Sequence, residues 1–227
     1  MPQSSEFQLL SIRDSIWNVF FRLISSKWVV AILQTWQLLR AITSERTVGL
    51  YEVLDFEHML ELCDARGKKA VFRKRETVRF LQDFVTAYED QAWGIGQIFA
   101  DYKCSPGVPV DRYRDGHKYR VLISLRETRR RGDVMPISIE RTVRNGFMAA
   151  EGWSETGVSH RMQRLRTGVI FPKARHCKRA WLIEKNAGRV TPLEIENAEL
   201  LPDGRQRVVW ETTKPALFET YALKWVW

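Results

Sequence analysis

Arginine is the residue type whose placement in this sequence points to chemistry. Arg66, Lys68, Lys69, Arg73, Lys74, Arg75 and Arg79 fall close together. Arg126, Arg129, Arg130 and Arg131 surround a Gly132-Asp133 turn. Arg161, Arg164, Arg166, Lys173, Arg175, Lys178 and Arg179 follow one another with no acidic residue between them. A guanidinium fork matches phosphate oxygens, and an exposed Trp or Tyr stacks on a base. Arg73, Arg75, Arg79, Arg120, Arg126, Arg161, Arg164 and Arg166 are therefore the candidate ligand contacts, and neighbouring strands would join them into an anion-binding face. The competing reading is a solvated sheet face whose arginines pair with glutamates on adjacent strands.

Other chemistry finds less support. Among His58, His117, His160 and His176, the only metal-like spacing is His176-Cys177. In a strand those two side chains point to opposite faces. Cys63, Cys104 and Cys177 are odd in number and widely spaced, so neither a zinc knuckle nor a disulfide framework is expected, and a reducing compartment fits best. Gly94-Ile95-Gly96 lacks the third glycine and following helix of a nucleotide fingerprint and reads as a bulge or tight turn. Glu89-Asp90 and Asp111, beside Trp93 and Arg112, read as loop residues that cap turns and form surface ion pairs. The expectation is a non-enzymatic protein with no catalytic residues, metal or cofactor.

The elements that must position the arginines come next. The chain carries a formal charge of +9. Charges nearly cancel within residues 1–45, where Arg13, Arg22, Lys27 and Arg40 face Glu6, Asp14 and Glu45, so almost all of the excess lies beyond. A basic domain favours anionic partners. From Thr47 the pattern alternates with a period of two. Phe56, Leu60 and Leu62 share a face with Leu54 and His58, and Ala70, Phe72, Val78 and Phe80 share one behind the turn Asp64-Ala65-Arg66-Gly67. Tyr119, Val121, Ile123 and Leu125 repeat the pattern, as do Tyr221, Leu223, Trp225 and Trp227. The stretch Pro192–Leu201 reads as a loop or one turn. Turn signals at intervals predict a mainly β fold, an antiparallel β-sandwich or barrel of about 8–10 strands.

One or two apolar α-helices are expected before it. Phe7 to Ile42 contains no Pro or Gly. Ser15 suits a helix start and Ser25-Ser26 a break. At helical pitch Trp17, Phe21, Ile24 and Trp28 lie together, with Val19, Leu23 and Val30 opposite. A helix apolar all round is buried in protein or lipid. Ile16 to Leu39 is long enough to cross a bilayer, yet Arg22 and Lys27 near its middle cost about 2.5–3.5 kcal/mol each on insertion scales. Glu6 and Asp14 before the apolar part argue against a signal peptide. The helices bury against the β domain or against copies of themselves, lie in or cross a membrane, or dock onto a separate protein. Trp17, Phe20, Phe21, Trp28 and Trp36 are the candidate membrane or partner contacts. In the membrane case Arg40 and Arg46 keep the following domain on the cytoplasmic side.

The chain thus divides into an apolar helical segment, 1–46, and a basic all-β binding domain, 47–227. In this arrangement it resembles the small bacterial antiphage effectors that join N-terminal membrane helices to a nucleotide-sensing β-barrel, a likeness of organisation rather than of residues. The resemblance implies a β domain that senses an anionic ligand of the nucleotide class and helices that associate with a membrane or oligomerise. Two further expectations stand beside it: a nucleic-acid-binding protein using the arginine-rich face, and an assembly subunit of a larger complex docked through residues 7–42.

Overall fold

Buried residues alternate with less buried ones through most of the long segments from Tyr51 onward, as strands with one face on a core require. The structure, a computed structural model, describes residues 49–196 and 198–227. The expected N-terminal helices, the segment 1–46 and Trp17, Phe20, Phe21, Trp28 and Trp36 lie outside the described residues. Gly49–Trp227 forms a compact unit. Among the described residues no helix is long and apolar enough to cross a membrane.

The unit is mainly β, with fourteen strands in three sheets. They are β1 (Tyr51–Leu62), β2 (Lys69–Phe80), β3 (Val85–Ala92), β4 (Gln97–Ser105), β5 (Val108–Asp115), β6 (Lys118–Arg129) and β7 (Val134–Arg144). Then come β8 (Glu151–Gly157), β9 (Arg164–Phe171), β10 (Arg179–Glu184), β11 (Arg189–Leu193), β12 (Glu199–Leu200), β13 (Gln206–Thr213) and β14 (Thr220–Val226). The largest sheet runs β12-β13-β9-β1-β2-β7-β4, the second β11-β10-β14-β8 and the third β3-β6-β5. No sheet closes on itself. Strands outnumber the expectation because short ones carry little periodicity. β12 and the last two residues of β11 lie where Pro192–Leu201 reads as a loop, and β3 contains the Glu89-Asp90 pair expected in a loop.

The pairing is antiparallel with one correction: β1 and β9 run parallel, Phe56 opposite Leu165 and Glu61 opposite Ile170. β1 has β2 on one side, reached through a tight turn. Its other side is filled by a strand far along the chain, which leaves ample length for a crossover. A register shift between Val53 and Asp55 marks a bulge. It turns Val53 inward and leaves Leu54 half-buried, against the simple alternation that grouped Leu54 with Phe56.

The inner face of the large sheet is covered in two parts. One core cluster joins Phe56, Val78, Ile137, Ile139 and Leu165 to Tyr88, Val121 and Ile123 of the third sheet. The other joins Leu60, Leu62, Val169 and Phe171 to Leu223, Trp225 and Trp227. The end of the chain is anchored. The Trp227 indole donates to the Ala149 carbonyl at 2.9 Å, and Arg175 lies 4.0 Å over the Trp227 ring. Burying each of Trp225 and Trp227 contributes about 1.5–3 kcal/mol.

Candidate functional site

The second and third sheets each end in an unpaired edge, β8 and β3. Between them and the inner face of β1, β2 and β7 lies a cavity of about 650 Å³, a volume in the range of small-ligand sites. The lining takes in successive residues of β8, Glu151 to Gly157, together with Ala87, Tyr88, Glu89, Gln91 and then Trp93 along β3. Neighbouring residues of a strand point to opposite faces, so a lining that includes both follows the strand edges. Trp93 bridges the two edges, its indole donating to Glu155 at 3.2 Å.

The floor is polar because β2 breaks its own pattern. Lys74 and Glu76 occupy the inward positions between Phe72 and Val78, and both are buried. Lys74 donates to Asp90 at 2.6 Å and to the Tyr88 hydroxyl at 2.8 Å, and lies 3.5 Å from Glu76. Tyr88 donates in turn to Glu76, and Tyr102 to Asp90 at 3.0 Å. Burial alone would lower the Lys74 pKa, but Asp90 and Glu76 outweigh it and hold the value above the usual range. Burial first, then Tyr51 with Glu76 and Asp90, raises Tyr88, and burial followed by Asp90 raises Tyr102, which leaves both as protonated donors.

Next to this network stands His58, fully enclosed. Its Nδ1 is 2.7 Å from Thr156 Oγ1 and its Nε2 2.9 Å from Ser154 Oγ, with Thr167 Oγ1 3.2 Å from Nε2. The imidazole packs on Phe72 with ring centroids 4.9 Å apart. Burial, with the charges of Arg141 and Lys74, lowers its pKa to about 3. The ring is therefore neutral and serves as one donor and one acceptor.

Arg141 on β7 supplies the one charge of the floor with no ion-pair partner among the described residues. Its guanidinium lies 4.2 Å over the Phe72 ring. Burial lowers its pKa, opposed by Asp90 and Tyr102. Four buried side-chain nitrogens lack a hydrogen-bond partner among the described residues: Arg129 Nε, Arg141 Nη1, Arg166 Nε and Trp225 Nε1. Of these residues Arg141 alone lines the cavity. A buried donor left without a partner costs about 1–3 kcal/mol, and more for a charged group.

The walls are aromatic. Tyr51, Phe56, Phe72, Tyr88, Trp93 and Trp153 contribute to the lining. His160 stacks on Tyr51 at 4.3 Å, and Lys118 lies 4.9 Å from the Trp93 ring. The carboxylates of the lining are already engaged. Glu89 pairs with Arg120, Glu155 with Lys185 and Glu151 with Lys224, while Glu219 accepts from the backbone of Asn186, Ala187 and Thr220. The arrangement offers flat apolar surfaces, hydroxyl hydrogen bonds and two lining cations without an ion pair among the described residues, the buried Arg141 and the half-buried Lys118. Among the described residues, no three His, Cys, Asp or Glu side chains gather as metal ligands.

The arginines singled out in the sequence lie elsewhere. Arg73, Arg75 and Arg79 stand on the outer face of β2, and Arg164 and Arg166 on that of β9, with the acidic outer face of β1 between them. Arg73 meets Glu61 at 2.5 Å and Glu140 at 2.8 Å, and Arg79 meets Glu52 at 2.9 Å. Arg164 meets Asp55 at 2.9 Å and Glu211 at 2.7 Å, and Arg166 meets Glu57 at 3.1 Å. With Arg205 and Arg207, six paired arginines face eight carboxylates on this sheet, so its cross-strand pairs neutralise one another. Arg120 belongs to the third sheet and pairs with Glu89 and Asp115. Arg126, at a positive φ of 60°, and Arg161 are exposed at the end of the unit where Gly49 enters. Sequence reading missed Lys74, Asp90 and Arg141 as interior groups. The signal was available for Lys74 and Arg141, which share the parity of Phe72 and Ile139 on their own strands.

No family model matches the sequence, and no curated protein is similar to it by sequence. Among solved structures, the chain is similar to a crystal structure of a candidate protease from Parabacteroides distasonis, with 6% identity and a TM-score of 0.47. That match covers 80% of this chain and 41% of the other, so the chain spans less than half of that protein's length. A likeness this distant carries no argument about fold or chemistry.

Proposed function

We propose that residues 47–227 are a ligand-binding regulatory domain whose cavity receives a small anion with a planar heteroaromatic part, a compound of the nucleotide class. Arg141 carries this reading. Its buried Nη1 has no hydrogen-bond partner among the described residues, a cost to the empty domain that a ligand phosphate or carboxylate oxygen would offset. Aromatic walls suit a base, and Ser154, Thr156 and the neutral His58 suit its hydrogen-bonding edge. In this reading the cavity between β3 and β8 stands where a barrel would close, and apolar helices in residues 1–46 couple occupancy to a membrane, at its cytoplasmic face, or to further copies of the chain.

The test is the melting temperature of the full chain against a panel of purine and pyrimidine nucleotides, linear and cyclic. At a hundred times its Kd a ligand adds about 2.7 kcal/mol. For a unit of this size that raises Tm by roughly 5–10 °C. Arg141→Met should leave the unliganded Tm unchanged or higher and abolish the response. The reading fails if no nucleotide raises the Tm of the native sequence, or if Arg141→Met responds in full.

A further inference from the structure

The excess positive charge resides outside the paired sheet face, and one end of the unit combines it with exposed apolar side chains. β2, β6, β8 and β13 finish at this end, and β1, β3, β7, β9 and β14 begin there. The loops are tied together. Leu81 donates to Leu50, Phe80 to Asp133, Gly132 to Phe80 and Lys214 to Gln163 through the backbone, and Arg131 N–H donates to Asp83. Arg126, Arg130, Arg131, Arg161 and Lys214 lie here, and no side-chain ion pair holds any of them among the described residues. Among the acids of these loops, Glu127 is paired with Arg129. Asp83 and Asp133 accept from backbone N–H groups of the β6–β7 turn.

Beside these cations Phe84 is 82% exposed and Phe218 53% exposed, both at positive φ, with Leu50, Val134 and Leu217 also exposed. A β-domain loop that presents Phe at a strained φ beside unpaired arginines has the composition of an interfacial membrane contact: rings at headgroup depth and cations for acidic lipid. The described chain starts at Gly49 in this same end, and in the sequence the stretch Ile16 to Leu39, rich in Trp, Phe, Ile and Val, precedes it with nine residues between. The turns at the far end also carry unpaired cations, such as Lys68 and Lys173, beside exposed Ile95 and Met148, but the exposed Phe rings are at the Gly49 end.

We infer that this end, formed by the loops around Phe84, Arg130–Arg131, Arg161 and Lys214–Phe218, docks onto an anionic lipid surface. The inference does not depend on what fills the cavity. Each cation held at an acidic membrane surface changes occupancy by roughly fivefold, so reversing two should lower it by more than an order of magnitude.

The test uses the full chain with vesicles of phosphatidylcholine alone or mixed with phosphatidylglycerol, read by amide hydrogen exchange. Residues 81–84, 130–133 and 214–218 should exchange more slowly on the mixed vesicles than on the neutral ones. Arg130→Glu with Arg131→Glu should remove that difference and leave exchange in β1 and β2 unaltered. Phe84→Ser should weaken it, and Lys68→Glu with Lys69→Glu, at the far end, should not. The inference is overturned if the chain binds neither vesicle, if both protect these loops equally, if protection falls on the far end, or if the arginine reversal changes nothing. Protection of the same loops by a soluble protein or by RNA, without lipid, would also overturn it.

Discussion

Acidification should destabilise this domain through His58, and the size of the effect follows from the structure. The imidazole is enclosed by Phe56, Phe72, Ser154, Thr156 and Thr167, and its pKa is lowered to about 3. In the unfolded chain His titrates near 6.5. A folded pKa below the unfolded one means that the unfolded state binds the proton first. Stability is complete above about pH 6.5 and is lost as pH falls from there towards 3. Over the whole window the loss approaches about 5 kcal/mol, and by pH 5 it is about 2 kcal/mol. For a unit of this length that corresponds to a fall in Tm of roughly 4–8 °C between pH 7 and pH 5. Carboxylates contribute their own pH dependence, so the informative quantity is the difference from His58→Gln, which keeps hydrogen-bonding capacity without titrating. Urea melts of both proteins at pH 7 and pH 5 should show the native sequence losing about 2 kcal/mol more. Equal losses, or a His58 ring resonance that titrates near 6.5, would refute the reasoning.

Two further perturbations test the interior. Lys74→Met leaves Glu76 and Asp90 buried without their cation and should cost about 3–5 kcal/mol, whereas adding Glu76→Gln and Asp90→Asn to it should recover most of the loss, both read by urea melts. Gly152→Ala places a Cβ 2.5 Å from the Trp225 ring and should cost about 1–3 kcal/mol, and Trp225→Phe in the same chain should relieve part of it, a coupling that a double-mutant cycle of melting data would measure.

The β domain was legible because period-two alternation survives wherever one face is buried. β14 shows it best, with Tyr221, Leu223, Trp225 and Trp227 all inward. The parallel β1–β9 pair was not legible, since register between distant strands leaves no local trace. The bulge at Val53 hid for a related reason, because one extra residue moves Leu54 to the other face without altering composition. The cavity shows a different limit. Its floor is made by Lys74, Glu76, Asp90 and Arg141, whose types read as surface. Parity placed Lys74 beside Phe72 and Arg141 beside Ile139, but the run of arginines around them pointed to the outer face instead. That outer face pairs arginine with glutamate across strands, as the competing reading of the sequence describes. What occupies the cavity is not written in any local motif, because its polar groups come from β1, β2, β3, β7 and β8, strands spread along the sequence.

Indole N–H resonances, followed by two-dimensional NMR during titration with the nucleotide that gives the largest rise in Tm, test the central claim most directly. Trp93 and Trp153 flank the cavity, while Trp181 and Trp210 lie away from it. Saturable shifts at Trp93 and Trp153, with Trp181 and Trp210 unmoved and all shifts absent in Arg141→Met, are the expected result. Shifts confined to Trp181 or Trp210, or identical titrations in Arg141→Met, would contradict it.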